Sequence, residues 1–505
     1  MQMIRKLLIA NRGEIAVRIM RSCREMGIRT VAVYSEADRT AMHVRYADEA
    51  YLIGPAPSAE SYLRGDKIIE VAKISGADAI HPGYGFLSEN SEFAKQCGKE
   101  GIIFVGPSPH AITTMGDKIT ARQTMMNAGV PVVPGTNRKI ISNDDALKII
   151  NDIGLPVIIK ASSGGGGKGM RIVEHESELM NAVRMAKSEA MTAFGDDSVY
   201  IEKYIIEPHH IEFQILGDKF GNIIHLCERE CSIQRRHQKV IEETPSPIMT
   251  PELRDQMGQT AIAAGRSVNY EGVGTVEFLV DSNLNFFFLE MNTRLQVEHP
   301  ITERVVGLDL VKEQIRVANG EPLQYKQSDI RQLGHAIECR IYAEDPDNNF
   351  MPSPGLIRHI TEPRGLGVRI DGYVYAGYEI PIYYDPMISK VIVWARKRDG
   401  AIDRMKRALY EYKISGVKTS IKYLESIIKH PAFEAGNYDT HFIEKYSEEL
   451  KSPAEPCDAD CEDITVITAF IEYSDKLKKF SEHQIQGSSD VNWKSYGRSK
   501  GVVRI

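Results

Sequence analysis

The chain has 505 residues, enough for three or more domains with sizeable cores. A hydrophobic content of 42% with 26% charged residues is that of an ordinary globular protein, and a net charge of −7 argues against a nucleic-acid partner. No apolar run is long enough to span a membrane, and Met1–Ala10 turns charged too soon for a secretory signal, so no membrane partner and a cytoplasmic location are expected.

Residues 4–10 read as a buried strand, followed by Asn11-Arg-Gly-Glu14 and an amphipathic helix from Ile15 to about Met26. Further strands at Thr30–Tyr34 and around Ala79-Ile80 alternate with helical patterns. This predicts a doubly wound parallel α/β unit over residues 1–114. It lacks G-x-G-x-x-G, which weakens a dinucleotide reading. From about Gly116 the rhythm changes. Val157–Lys160 and Arg171–Val173 flank a glycine loop as a hairpin would, and runs at 200–206, 211–216, 222–228, 274–280 and 286–290 have hairpin spacing. Residues 115–330 are therefore expected to be α+β. Another segment, also α+β, runs from 331 to 447, and 448–505 reads as a linker and tail. The seven cysteines (23, 97, 227, 231, 339, 457 and 461) are scattered and odd in number, as reduced thiols would be. The Cys457-x-x-x-Cys461 pair has no second ligand pair beside it.

The loop Ser162-Ser-Gly-Gly-Gly-Gly-Lys-Gly-Met170 is dense in glycine, so its backbone N–H groups can turn toward phosphates without a Cβ clash. It is not a P-loop, because Lys168 is followed by Gly169 rather than Ser or Thr. A loop between two strands suggests a flap; the plainer alternative is a mobile turn. Lys160 ends an apolar strand and Lys118 opens a helix. Such lysines usually just snorkel, but two of them flanking a glycine flap suit a nucleoside triphosphate. The run Glu228–Lys239 is densely charged and mixed in sign, which on its own is a solvated face more often than a site. Glu277 precedes Glu290 by a short turn, so in a hairpin the two would face one another. With Asn292 they offer hard oxygen ligands for Mg²⁺ bridging phosphates.

From Glu290 to Glu298 polar residues alternate with Met291, Thr293, Leu295 and Val297. An extended chain would place Glu290, Asn292, Arg294, Gln296 and Glu298 on one face. A straight strand would separate Glu290 from Glu298 by roughly 26 Å, too far for one metal centre. The chain is therefore expected to bend after Asn292, leaving one polar cluster at the strand end and a second beyond it.

Several longer motifs are recognisable: Ala10–Ala16, His81–Asn90, the glycine flap, Gln234–Lys239, Glu290–Pro300 and His335–Arg340, in that order and spacing. Through them residues 3–446 resemble the biotin carboxylase family, which is of ATP-grasp type. The resemblance implies a pre-ATP-grasp α/β domain, an ATP-grasp domain with a mobile glycine-rich lid over about 131–204, and a C-terminal α+β domain. It implies a ligase that makes carboxyphosphate from ATP and bicarbonate and carboxylates biotin borne on a partner protein. By matching motif, Lys118, Lys160, Gly165, Gly166 and Gly167 look like phosphate contacts. Glu202, Lys203, His210, Gln234 and His237 look like nucleotide contacts, and Glu277, Glu290 and Asn292 like the site of Mg²⁺ or Mn²⁺. Lys239, Arg294, Gln296 and the Val297 backbone look like the bicarbonate cradle. Glu298 looks like the base, Arg340 like the stabiliser of the biotin enolate, and Tyr84 and Gly85 like biotin contacts.

The resemblance also implies a homodimer through Arg18, Arg21 and Glu25, although Leu366 stands where the family commonly has Phe. The Ala/Val-Met-Lys-Met attachment signature is missing, and Arg404-Met-Lys-Arg407 does not match it. Biotin and carboxyltransferase are thus expected on another chain. Stand-alone pyruvate carboxylase A subunits are the nearest likeness, acyl-CoA carboxylase subunits the next. A nucleotide-binding protein without catalysis is disfavoured because no catalytic position is replaced. A carbamoyl-phosphate synthetase is disfavoured by Tyr84, Gly85 and Arg340.

Overall fold

Five strands make the first sheet: β1 (Lys6–Ile9), β2 (Arg29–Ser35), β3 (Glu49–Gly54), β4 (Ala79–His81) and β5 (Ile103–Phe104). All pair in parallel, in the order β3-β2-β1-β4-β5. This is the doubly wound arrangement that alternating strands and helices predict. Leu7, Leu8 and Ile9 are buried as a continuous run, as a strand covered on both faces requires. The helix Gly13–Glu25 starts just beyond β1. In that turn Asn11 Nδ2 donates to the Pro82 and Tyr84 carbonyls, each at 2.7 Å, which fixes the loop carrying Tyr84 and Gly85.

The computed structural model describes residues 3–136, 138–140, 142–161, 170–451, 465–474 and 476–477. Contacts divide the chain into a unit of residues 1–451 and a second of 452–505. Gly165, Gly166 and Gly167 lie outside the described residues, as do Cys457 and Cys461. Cys23, Cys97, Cys227, Cys231 and Cys339 are free and buried.

A small antiparallel sheet follows the first, from β6 (Val157–Ala161), β7 (Arg171–Val173) and β8 (Val199–Lys203) in the order β7-β6-β8. Helices Asn143–Ile153 and Leu179–Phe194 close its core, where Ala146, Ile149 and Ile150 meet Val157 and Ile159. Their i, i+3, i+4 spacing makes the first helix amphipathic.

The largest sheet has eight antiparallel strands. It contains β9 (His209–Gly217), β10 (Ile223–Arg235), β11 (Gln238–Thr244), β12 (Gly272–Val280), β13 (Phe286–Asn292) and β14 (His335–Tyr342), then strands Met387–Ala395 and Val368–Gly372. The order is β13-β12-β9-β10-β11-β14, continued by Met387–Ala395 and Val368–Gly372. β12 and β13 form the expected hairpin with Glu277 opposite Glu290. β13 stops at Asn292, and the chain turns to enter helix His299–Val306 with Glu298 at its N-cap, so the bend lies where the polar alternation requires it.

Two expectations need correction. The charged run is not a solvated face: Glu228, Arg229 and Glu230 are buried in β10 between helices Pro251–Ser267 and His299–Val306. Their charges are met inside, Glu228 by Arg254 at 2.7 Å and Arg229 by Glu212. Arg18 is not free for a dimer contact either. It is buried against Glu303 at 2.7 Å and Asp309 at 2.9 Å, while Arg21 keeps its exposure and Leu366 is 86% exposed.

Glu243 on β11 ties the C-terminal segment to the sheet. Its carboxylate accepts from His335 at 2.5 Å, from Arg398 at 2.8 and 2.9 Å, and from the Tyr438 hydroxyl. Burial opposes ionisation, but His335 and Arg398 more than offset it and bring the carboxyl from 4.5 down to about 2. Stability from this group is complete above pH 4.5 and is lost as pH falls toward 2. Glu243→Gln is therefore expected to cost about 3 kcal/mol at pH 7. The gap from wild type should narrow as pH drops below 4.5, which urea denaturation at a series of pH values would measure.

Candidate functional site

β9, β12 and β11 point acidic and basic side chains at the turn after β13. Lys239 sits at the centre, its ammonium 2.5 Å from Glu212, 2.9 Å from Glu277 and 2.8 Å from Glu298. Burial opposes its charge, but these three carboxylates hold its pKa well above the usual value. Burial likewise works to raise Glu277 and Glu298. For Glu277, Lys239 and His210 win; for Glu298, Lys239, Arg340 and Arg229 win; both carboxyls end well below the usual range.

Beneath this lies Arg229, 0% exposed. Its guanidinium donates to Glu212, to Gln214 at 2.7 Å, Thr302 at 2.8 Å, Thr275 at 3.2 Å and Gln296 at 3.3 Å. Gln296 in turn donates to Glu277 at 2.8 Å, as does Asn292 at 2.9 Å. His210 Nε2 is 2.8 Å from Glu277, and Gln234 holds the other ring nitrogen at 2.9 Å. Arg294 donates to Glu89 and to the Asn292 side-chain oxygen, both at 2.9 Å. Arg340 reaches Glu298 at 2.9 Å. The Val297 carbonyl accepts from Lys390 at 2.7 Å, which fixes the peptide beside Glu298. Lys390 also pairs with Glu14 at 3.0 Å, and Glu14 accepts from the Tyr84 hydroxyl, so Tyr84 joins the same network. Gly85 turns the chain just beyond, at φ +67.

A second group lines an adjoining cavity of about 410 Å³, which takes in Lys118, Glu202, Glu290, Asn292 and Arg294. Lys160 pairs with Glu202 at 2.7 Å, and Arg122 holds the other Glu202 oxygen at 2.9 Å. Desolvation lowers Lys118, with Lys160 adding to it and Glu290 and Glu202 opposing. Glu290 opens into the cavity and is raised by desolvation and then by Glu277. His237 stands in the β10–β11 turn, its imidazole pushed down by desolvation and by Lys160. Lys203 is placed apart: its ammonium is used on the Leu155 carbonyl at 2.7 Å, so any contact it makes in the cavity comes from its backbone.

Two groups among the described residues have metal-ligand geometry, His210 with Glu212 and Glu277, and Glu212 with Cys231 and Glu298. Lys239 already contacts Glu212, Glu277 and Glu298, so both groups have a resident cation. Glu290 is different. Its carboxyl, raised in part by Glu277 across the hairpin, would be relieved by a cation between the two, and the oxygen donors of Glu277, Glu290 and Asn292 fit a hard divalent ion. An anion entering the cavity would meet Lys118 and Arg294, with Lys160 behind Glu202; one reaching Glu298 would meet Lys239 and Arg340.

Sequence reasoning missed Arg229, Glu212, Arg122, Glu89, Glu14 and Lys390. Only Glu89 and Glu14 lie inside quoted motifs, and nothing local distinguishes the others from surface charges.

Family models match nearly the whole described core. The biotin carboxylase N-terminal domain covers residues 3–112, the ATP-binding domain of the carbamoyl-phosphate synthase L chain 117–326, and the biotin carboxylase C-terminal domain 338–445. The A subunit of pyruvate carboxylase from Methanothermobacter thermautotrophicus is 60% identical over 445 residues, 88% of this chain and 90% of that protein. The chain belongs to the biotin carboxylase family. Biotin carboxylase 1 of Bacillus subtilis is 56% identical over 88% of this chain and 99% of its own length. Among solved structures, biotin carboxylase of Campylobacter jejuni in complex with β,γ-ATP aligns with a TM-score of 0.85 at 51% identity, covering 88% and 99% of the two chains. The biotin carboxylase domain dimer of Hydrogenobacter thermophilus 2-oxoglutarate carboxylase, with MgADP, ADP and bicarbonate, aligns with a TM-score of 0.86 at 49% identity, over 90% and 100%. The protein is thus a biotin carboxylase of ATP-grasp type, an ATP-dependent ligase.

Lys239→Met leaves Glu212, Glu277 and Glu298 without their common cation. The expected cost is about 3–5 kcal/mol at neutral pH, since one partner of a buried ionic network is removed. The remaining carboxyls would then titrate above their unfolded values, so the deficit should shrink as pH falls, and denaturation at pH 7.5 and 5.5 would show it.

Proposed function

We propose that this chain is the biotin carboxylase component of a pyruvate carboxylase whose biotin carrier and carboxyltransferase lie outside these 505 residues. The observation that carries the pyruvate assignment is the 60% identity to the A subunit of a pyruvate carboxylase, over 90% of that protein. The second reading is an acyl-CoA carboxylase, favoured by the alpha subunit of rat methylcrotonoyl-CoA carboxylase at 53%. A homodimer and a cytoplasmic setting belong to the same proposal. Among the described residues no helix is long and apolar enough to cross a membrane.

The residue roles belong to the same proposal and follow the motifs shared with the family. Lys118 and Lys160, with Gly165, Gly166 and Gly167, take the phosphates. Glu202, Lys203 (by its backbone), His210, Gln234 and His237 take the rest of the nucleotide. Glu277, Glu290 and Asn292 would hold Mg²⁺ or Mn²⁺, which when bound supplies neutralisation of the phosphate oxygens. Bicarbonate sits against Lys239, Arg294, Gln296 and the Val297 N–H, with Glu298 as base.

Bicarbonate is a poor nucleophile until its proton is accepted. As it attacks the γ-phosphorus, Glu298 takes that proton, the bond to the β-phosphate oxygen breaks, and ADP leaves. At rest Glu298 is a weak base, because Lys239 and Arg340 both stabilise its charge. An arriving anion shares those two cations, and Glu298 becomes more basic just where a proton must be accepted. Carboxyphosphate then divides into CO₂ and phosphate. Phosphate takes the ureido proton of biotin, the nitrogen attacks CO₂, and Arg340 stabilises the enolate oxygen, with Tyr84 and Gly85 against the ring.

Glu298→Gln should lower bicarbonate-dependent ATP cleavage by at least about 100-fold while leaving ATP affinity nearly unchanged. Normal turnover would overturn the base assignment. Lys160→Ala should weaken ATP–Mg²⁺ binding about tenfold in calorimetry, or ~1.4 kcal/mol. Isolation of the native complex, assayed with pyruvate and with acyl-CoAs, decides the acceptor; turnover with acyl-CoA alone would replace the pyruvate reading by the second.

A further inference from the structure

Two buried carboxyls have no part in the chemistry above. Glu242 on β11 and Glu338 on β14 are opposite one another in the antiparallel ladder, and Arg340, two residues beyond Glu338, shares their face. Lys390, opposite Arg340 on the neighbouring strand, completes a row of four ionisable side chains across three strands. Helix His299–Val306 covers this face, its Ile301 and Val305 packing with Ala336 and Ile392. Glu242, Glu338 and Lys390 are fully buried.

The partners are unequally shared. Glu242 lies 2.5 Å from Arg340 Nη2, the same nitrogen that reaches Glu298 at 2.9 Å. Lys390 is taken up by Glu14 and by the Val297 carbonyl. Among the described residues, the carboxyl oxygens of both Glu242 and Glu338 are buried without a hydrogen-bond partner, and of the two Glu242 alone has an ion pair, with Arg340. The charged groups facing Glu338 are Glu242 from β11, Arg340 from its own strand, Lys390 from the next strand and Glu298 from the covering turn. Three carboxyls thus compete for one guanidinium, and a fully buried carboxyl left over from that competition keeps its proton rather than carry an unpaired charge. Burial pushes Glu338 well above the usual range and Glu242 up to about 7.

We propose that Glu242 and Glu338 are positioning residues for Arg340, with Glu242 anchoring the guanidinium beside Glu298 and uncharged Glu338 leaving that anchor without a rival. The inference rests on the reading that Arg340 serves the biotin-side step. When Glu338 ionises, a second anion two residues away on the same face draws the guanidinium back along β14 and away from biotin. The nucleotide end, around Lys118 and Glu290, is untouched by that movement.

The test uses the full chain with free biotin, ATP and bicarbonate. Glu242→Gln is expected to lower kcat/KM for biotin about tenfold while moving KM for ATP less than about twofold. Glu338→Gln cannot ionise, so over a pH profile carried to the alkaline limit of the fold the ratio of its biotin kcat/KM to that of wild type is expected to rise at least about threefold. An unchanged biotin kcat/KM in Glu242→Gln, an equal loss on the ATP side, or a flat ratio for Glu338→Gln overturns the inference. If Glu242→Gln does not fold, Glu242→Asp, which retracts the charge by one methylene, is read by the same split. Absence of biotin-dependent turnover in wild type overturns both this inference and the reading beneath it. Normal wild-type turnover with an unaffected Glu242→Gln overturns this inference alone.

Discussion

One ammonium group balances the centre of this molecule. Lys239 touches Glu212, Glu277 and Glu298, three buried carboxylates from β9, β12 and the turn after β13. Without that cation, three like charges close to one point would lose the partner they share, and each would be left to its outer one. Arg229 performs the same service one layer lower, where every partner is itself a side chain of the site. On the proposed roles, the stabilising interactions and the catalytic ones are the same interactions. An incoming anion is attracted by cations that were holding the carboxylates, and each carboxylate it releases becomes a better base or a better metal ligand.

The stretch from Glu290 to Glu298 shows how far local pattern reaches. Its alternation is too long for one centre, and the chain does divide after Asn292, with Glu298 placed at a helix N-cap rather than farther along a strand. The parallel sheet, the Glu277–Glu290 hairpin and the β6–β7 hairpin were equally readable, because each rests on neighbours in sequence and on an uninterrupted apolar period. The charged run in β10 was not. Its burial depends on two helices that arrive later in the chain, and a residue's own sequence neighbours do not say whether a second layer will cover it. Arg18 failed for the same reason: its partners Glu303 and Asp309 lie nearly three hundred residues away. So did Lys390, whose partners Val297 and Glu14 are likewise far off in the chain.

Family membership accounts for the site but not for the final product. The half-reaction served by these residues ends at carboxybiotin, so every residue in contact with ATP, bicarbonate or biotin meets the same chemical groups whichever acceptor follows. Relatives named for pyruvate and for methylcrotonoyl-CoA are accordingly each similar over 88% of this chain. Information about the acceptor belongs to surfaces that meet the carrier and the transferase, and none of the buried network bears on it.

The eight-stranded sheet passes through the junction between the ATP-binding and C-terminal family segments, since β11 pairs directly with β14. The boundary between residues 326 and 338 is thus a seam of inheritance and not a mechanical joint. Arg340 on β14 and Lys239 on β11 stand on adjacent strands of one sheet. The small sheet of β6–β8 has strands and a hydrophobic core of its own, as does the five-stranded parallel sheet. Exchanging the C-terminal segment between relatives would therefore transplant half of a hydrogen-bonded surface, and a chimera cut at that seam inherits its register from one parent and its side chains from the other.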